Sequence, residues 1–367
     1  MRERITTKSV TVRVSFLSGR RFQALALTLS SVLAVTVIGF PATGQSTPYR
    51  AFPASSYWNQ PLPTNVPIDT DSAKILEFLK NDSTTNYIRL AGTSSSGNWG
   101  NPIYWAGADD PTRKVKNICS SSGQPPEFQS VRIPRGARPD SSTDKTMTVY
   151  DVEKGIVYGF FKASVSSGVW SSCGGVVYYL GSNGLVGRLP ESDEPRNYGH
   201  RGVPPPTYAI RYDEISAGAI QHVLKIAVHH AADEYVFPMT GHESGSSDPY
   251  APPEGTRIRI KPSVNLSSLG LSPGALVVAK ALQKYGAIIG DQSAGPVNLK
   301  VENTVAERRG YLWNGVLTTT SLSRIRLNMF EVIRLGYPSG PRPSPSVSPS
   351  PTPSPTPTPS PSRTPSP

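Results

Sequence analysis

Apolar and polar positions alternate over short distances along most of this chain. Runs at 146–150, 156–163, 175–180, 219–228, 235–237, 257–261, 287–290 and 297–301 are rich in Val, Ile, Tyr and Phe. Gly, Pro, Ser and Asn bound them, which is the pattern of short strands. Glu153-Lys154-Gly155 separates the first two and reads as a hairpin turn. Two segments carry helical spacing instead. Ile75, Leu76, Phe78 and Leu79 follow a polar Thr70-Asp71-Ser72 start. Ala275, Val278, Ala279 and Leu282 follow a Ser272 cap and Pro273 at the first helical position, and Gly286 ends the run. Many short strands, two lone helices and no internal repeat predict a mostly β fold. The expected form is an antiparallel β-sandwich of jelly-roll type with two peripheral α-helices.

Composition sharpens this picture. The 367 residues include 37 Pro and 32 Gly, and only 17% are charged, which excludes a coiled coil or an ordinary helical bundle. One long apolar run, 24–40, excludes a polytopic membrane protein. Arg2, Arg4, Lys8, Arg13, Arg20 and Arg21 precede it, and the small residues Ala42-Thr43-Gly44 follow it. That order predicts a secretory signal peptide over 1–44 rather than a membrane anchor. Arg20-Arg21-Phe22 also hints at twin-arginine export. From 341 to 367 the chain is almost wholly Pro, Ser and Thr, with nothing apolar enough to bury. A disordered, extended tail is expected there, on the order of 80 Å long, suited to a stalk in or through a cell wall. One globular domain over 45–340 remains.

The six basic residues and one acidic residue of 1–44 leave +6 of the formal net charge of +11. That surplus is too mild and scattered for nucleic acid, so no nucleic-acid partner is expected. It suits a polysaccharide or cell-wall glycan held by a few Arg and Lys. No membrane contact after signal cleavage and a monomeric state complete the expectation. Cys119 and Cys173 are the only cysteines, and in an exported chain they predict one disulfide.

Candidate chemistry is sparse. His222 falls in the 219–228 run with Ile220 and Leu224 on its face, where it reads either as a satisfied core histidine or as a general base in a groove. Arg211-Tyr212-Asp213-Glu214 precedes that run and offers either a carboxylate-neutralising cation or a capped helical turn. Asp291 follows Ile288-Ile289-Gly290, and His200 with Arg201 lies upstream. We take His222, Arg211, Asp291 and His200 as the catalytic candidates. Asp151, Glu214, Asp291 and Glu302 are the carboxylates a hydrolase would draw on. Trp99, Tyr104, Trp105 and Trp170 lie in Gly-, Ser- and Asn-rich surroundings and are candidate sugar platforms. His229-His230 and His242 match no zinc spacing, and adjacent histidines on a strand diverge, so neither metal nor cofactor is expected. No Gly-x-Ser-x-Gly elbow, P-loop or dinucleotide fingerprint is present.

The segments Leu189-Pro190-Glu191-Ser192-Asp193-Glu194-Pro195, Gly199-His200-Arg201-Gly202-Val203-Pro204-Pro205-Pro206 and Tyr285-Gly286-Ala287-Ile288-Ile289-Gly290-Asp291 resemble a family of exported bacterial proteins, frequent in actinomycetes. The likeness covers about residues 50–337 and implies export and one intact domain, without an assigned activity. Arg211-Tyr212-Asp213-Glu214 and Gln221-His222 are also similar, with altered spacing, to the Arg-x-Glu and Gln-x-His strands of jelly-roll alginate lyases. The expected function is therefore a secreted carbohydrate-active protein, either a lyase or a glycoside hydrolase. The alternative is a non-catalytic polysaccharide-binding or wall-associated module.

Overall fold

The computed structural model describes residues 47–119, 123–186, 197–199 and 201–338. The signal-peptide and tail expectations, and His200, lie outside these residues. The fold is β-rich, with three α-helices among the described residues: α1 (Ser72–Asp82), α2 (Tyr212–Ser216) and α3 (Pro273–Lys284). Six strands form the largest sheet. Their spatial order is Arg89–Ala91, Asn298–Lys300, Leu224–Val228, Ala287–Gln292, Arg257–Ile260 and Phe330–Val332. The first pair and the central Leu224–Val228/Ala287–Gln292 pair are parallel, and the others are antiparallel. A second sheet orders Val176–Tyr179, Ile156–Phe160, Met147–Asp151 and Ile103–Trp105. Its centre is the expected hairpin, with Gly155 at φ 68° in the turn.

Alternation decides what each face does. Leu90, Leu299, Ile226, Ile289, Ile258 and Val332 leave one face of the six-stranded sheet and pack on Ile75, Leu76 and Leu79 of α1 and on Val278, Ala279 and Leu282 of α3. The helices are thus one wall of the core, not peripheral. On the other face, Val223 and Ile288 join Tyr150, Val157, Val176 and Tyr178 of the second sheet in a separate core. The second sheet buries its far face too: Met147, Val149, Tyr158 and Phe160 pack with Phe128 and Trp170. Burial on both faces accounts for successive apolar residues such as Val176-Val177-Tyr178.

The strong local signals translate directly. Ser272 Oγ accepts from Ala275 N, Pro273 opens α3, and Gly286 leaves it at φ 70°. The antiparallel expectation does not fully translate. Among the described residues four strand pairs are parallel, three of them at sheet edges through Ile103–Trp105, Arg89–Ala91 and Val115–Asn117, strands too short to stand out in the sequence. The 235–237 run makes only a single bridge, Tyr235 to Glu254. The 219–228 strand begins at Leu224, so His222 precedes it.

Cys119 and Cys173 form a disulfide across 54 residues, beside the parallel strands Val115–Asn117 and Val169–Ser172. Such a crosslink contributes about 4 kcal/mol by restricting the unfolded chain. Replacing both cysteines by Ser is expected to lower the urea-unfolding free energy by about 2–4 kcal/mol. An unchanged midpoint would show that strand pairing alone holds this ribbon.

Candidate functional site

Arg211 and His222, eleven positions apart in the sequence, are brought together by α2. The Glu214 carboxylate folds back on its own helix start: Oε2 accepts from Arg211 N at 3.1 Å. Oε1 faces His222 Nε2 at 2.9 Å and the Arg211 guanidinium at 3.3 Å. Arg211 also donates to Tyr49 O at 2.6 Å and to Asp213 at 3.0 Å. The other ring nitrogen of His222 faces Val223 O at 2.8 Å. All three groups are buried, with His222 6% exposed. Burial works to raise the Glu214 pKa, but His222 and then Arg211 outweigh it and hold the carboxyl below its usual value. His222 thus has both nitrogens facing oxygen atoms and no open face. The arrangement is that of the core histidine, and Arg211 is its partner's counter-ion.

Asp291 stands elsewhere. Lys225 and Lys300 each lie one residue beyond the Ile226–Leu299 pair of neighbouring antiparallel strands, so both side chains leave the same sheet face. This face is the one opposite the helices. Arg89, Ala91, Asn298, Lys300, Lys225 and Ala227 are all half-buried on it, alternating with the sealed apolar row. Like charges at facing positions repel, and Asp291 answers this. Its carboxylate holds Lys225 Nζ at 2.7 Å. It reaches there because the ladder slips: Ile226 pairs with Ile289, but Val228 pairs with Gln292, so one extra residue is inserted at Gly290-Asp291. The bulge turns Asp291 onto the lysine face. Gly290 permits it, since a Cβ there would lie 2.9 Å from Val203 Cγ2 and 3.3 Å from Lys225 Cγ.

Loops wall this patch. Tyr208 places its ring 4.9 Å from Lys225 Nζ, and Asp144 lies 3.9 Å from Lys300 Nζ. Arg201 pairs with Glu243 at 2.6 Å and stands 3.7 Å from the fully buried Glu254. The groups are recessed, with 32% of the Asp291 side chain still accessible. Burial works to raise its pKa, but Lys225 and Lys300 prevail and hold it below the usual value. Burial, reinforced by Lys225, lowers the Lys300 pKa, against Asp291 and Asp144. Lys300 is therefore an amine that gives up its proton more readily than a free lysine, which is the property of a general base. Neither lysine was singled out from the sequence. The signal available was an isolated Gly inside a strand pattern.

The aromatic candidates divide. Trp99 and Trp105 are 42% and 41% exposed. Trp105 stacks on Tyr150 at 4.4 Å, with Tyr49 edge-on at 5.4 Å, so its ring is held rigidly. Tyr104 and Trp170 are core residues and not sugar platforms. The Tyr104 hydroxyl bonds Arg138 O and N, and Trp170 packs beside Phe160. Tyr104 is amphipathic, and its polar end is satisfied inside. A cavity of about 280 Å³ lined by Leu271, Ser272, Thr318, Ser321 and Arg324 contains neither carboxylate nor imidazole.

The expected hydrolase carboxylates are also engaged. Asp151 is gripped by Arg132. Glu302 accepts from Tyr212 N at 2.6 Å, and Glu307 accepts from Ile103 N at 2.7 Å. Arg309 bridges the two carboxyls, both almost fully buried. Burial and then the Glu302 charge push the Glu307 pKa up to about 9.

Two outcomes follow. Glu214→Gln leaves Arg211 and His222 buried with weakened compensation and is expected to destabilise by about 3–5 kcal/mol in urea unfolding; a loss below about 1 kcal/mol would mean the network is not structural. A carboxyl whose folded pKa lies above its unfolded value gives its full contribution below the unfolded value and loses it as pH rises toward the folded one. Stability of the natural chain should therefore fall between the ordinary glutamate range and about 9, and Glu307→Gln should flatten that decline in pH-dependent melts. Parallel declines would contradict the assignment. Comparison with protein-family models, curated proteins and solved structures finds no match, so the chemistry of these groups is read from their geometry.

Proposed function

We propose that the protein is exported and acts on an acidic polysaccharide by β-elimination in the Lys225–Lys300–Asp291 recess, with the two large sheets as the layers of a sandwich. The observation that carries this reading is the pair of lysines on one sheet face, 14% and 22% accessible and held by a bulge-borne carboxylate. Elimination beside a uronate needs a cation on the sugar carboxylate and a base for the adjacent proton. Lys225 and Arg201 supply the charge. Lys300, in its deprotonated fraction, takes the C5 proton; the electron pair forms the C4–C5 double bond as the C4–O4 bond breaks; the resulting ammonium returns the proton to the leaving oxygen. Glycoside hydrolysis instead needs two free carboxyls across the bond. In the recess Asp291 is tied to Lys225, and Glu254 is fully buried. The signal-type N-terminus, the disulfide and the Pro/Ser/Thr tail support export to the wall or beyond. Among the described residues no helix is long and apolar enough to cross a membrane.

A second reading, binding without turnover, is favoured by the exposed rings of Trp99 and Trp105. A panel of uronate-containing and neutral polysaccharides, followed by ultraviolet absorbance of unsaturated uronates, separates the two. Turnover of an acidic polymer is expected, lost by about a hundredfold or more in Lys300→Met, with Lys225→Ala raising KM more than it lowers kcat. Retention on acidic polymers without product, weakened by Trp105→Ala, would establish binding alone. Absence of both would contradict the proposal.

A further inference from the structure

A different cluster lies at the far end of the central strand. Two adjacent histidines on a strand would diverge, but Leu224–Val228 ends before them, its last carbonyl accepting from Ser293 N at 2.6 Å. The chain then turns and brings the His229 and His230 rings together, tilted at 41° with centroids 3.8 Å apart. Both direct Nδ1 at one carboxylate, that of Asp82, the last residue of α1. Asp82 Oδ2 is fixed by His230 N at 2.9 Å. Oδ1 is left facing His230 Nδ1 at 2.8 Å and His229 Nδ1 at 3.4 Å. The Asp82 carbonyl oxygen lies 3.1 Å from His229 Nδ1, at the negative end of the helix. One oxygen and two imidazole nitrogens thus converge within 4.8 Å of one another.

We propose that Asp82, His229 and His230 form a binding site for a divalent transition-metal ion. The proposal is independent of the glycan reading. Bonds of about 2.0–2.1 Å set tetrahedral ligands roughly 3.3 Å apart. The His229–Asp82 separation already matches, and the His230–Asp82 separation opens by about half an ångström, within side-chain rotation. Two imidazoles and one carboxylate suit Zn²⁺, Cu²⁺ or Ni²⁺ rather than the all-oxygen cages of Ca²⁺ or Mg²⁺. The main-chain hydrogen bond to Oδ2 orients the carboxylate, as an outer-shell partner does. Side-chain exposures of 36% for His229 and 48% for His230 leave an entry path and room for water ligands. The expectation of no metal rests on the absence of a zinc-type spacing and on diverging rings; the end of the strand at Val228 removes the second premise, and Asp82, distant in sequence, supplies a ligand that no local spacing shows.

Calorimetric titration of the full chain with Zn²⁺ tests it. One site per chain is expected, weakened about tenfold or more in His229→Ala, His230→Ala and Asp82→Asn, and unchanged in His242→Ala. Electron paramagnetic resonance of the Cu²⁺-loaded chain should show coupling to two nitrogens, and to one in His230→Ala. Circular dichroism checks that these surface variants remain folded. Undiminished binding in His229→Ala and His230→Ala, loss in His242→Ala, or no saturable binding of Zn²⁺ or Cu²⁺ to the folded chain would overturn the proposal.

Discussion

Two lysines leaving one sheet face side by side set the character of this molecule. Lys225 and Lys300 repel, and the sheet beneath them is sealed by apolar side chains on its other side. The ladder meets this by inserting one residue, which brings Asp291 from the position regular alternation would give it to the lysine side. Gly290 is the hinge of that solution because Val203 and the Lys225 stem occupy the space a Cβ would need. A regular strand there would have produced a different and more strongly repelling face.

Charge is used in two ways. In the Arg211–Glu214–His222 group both carboxylate oxygens and both ring nitrogens have partners, and the surface is closed. Removing one member leaves the others dehydrated and uncompensated, which is why such groups hold a fold together more than they act on a substrate. Around Lys300 compensation is incomplete and solvent still reaches the groups. That combination of dehydration and access characterises sites that bind or transform ligands.

Much of the fold was legible in the sequence. The caps of α3, the 153–155 hairpin and the disulfide follow from residues whose preference is local: Ser272, Pro273, Gly155, Cys119 and Cys173. Parallel pairing was not legible, because it depends on contacts far apart in sequence and on three-residue strands such as Arg89–Ala91 and Ile103–Trp105. The site was legible in part. Asp291 was found as a carboxylate after an apolar strand, but its partners come from three other segments. In the sequence His222 is an isolated imidazole among apolar residues, and only the fold brings Glu214 back against it. Trp170 and Tyr104 misled for the opposite reason, since Gly- and Ser-rich neighbours suggested exposure while both rings fill the core beside the second sheet.

Elimination at Lys225 and Lys300 requires that the lysine face hold an acidic sugar. Chemical-shift mapping of the labelled protein with a short oligouronate tests it directly. The largest shifts are expected at Lys225, Lys300, Asp291, Arg201 and Tyr208, with neutral oligosaccharides giving little change. Shifts centred on the cavity beside Ser272 and Arg324, or none with any acidic sugar, would contradict it.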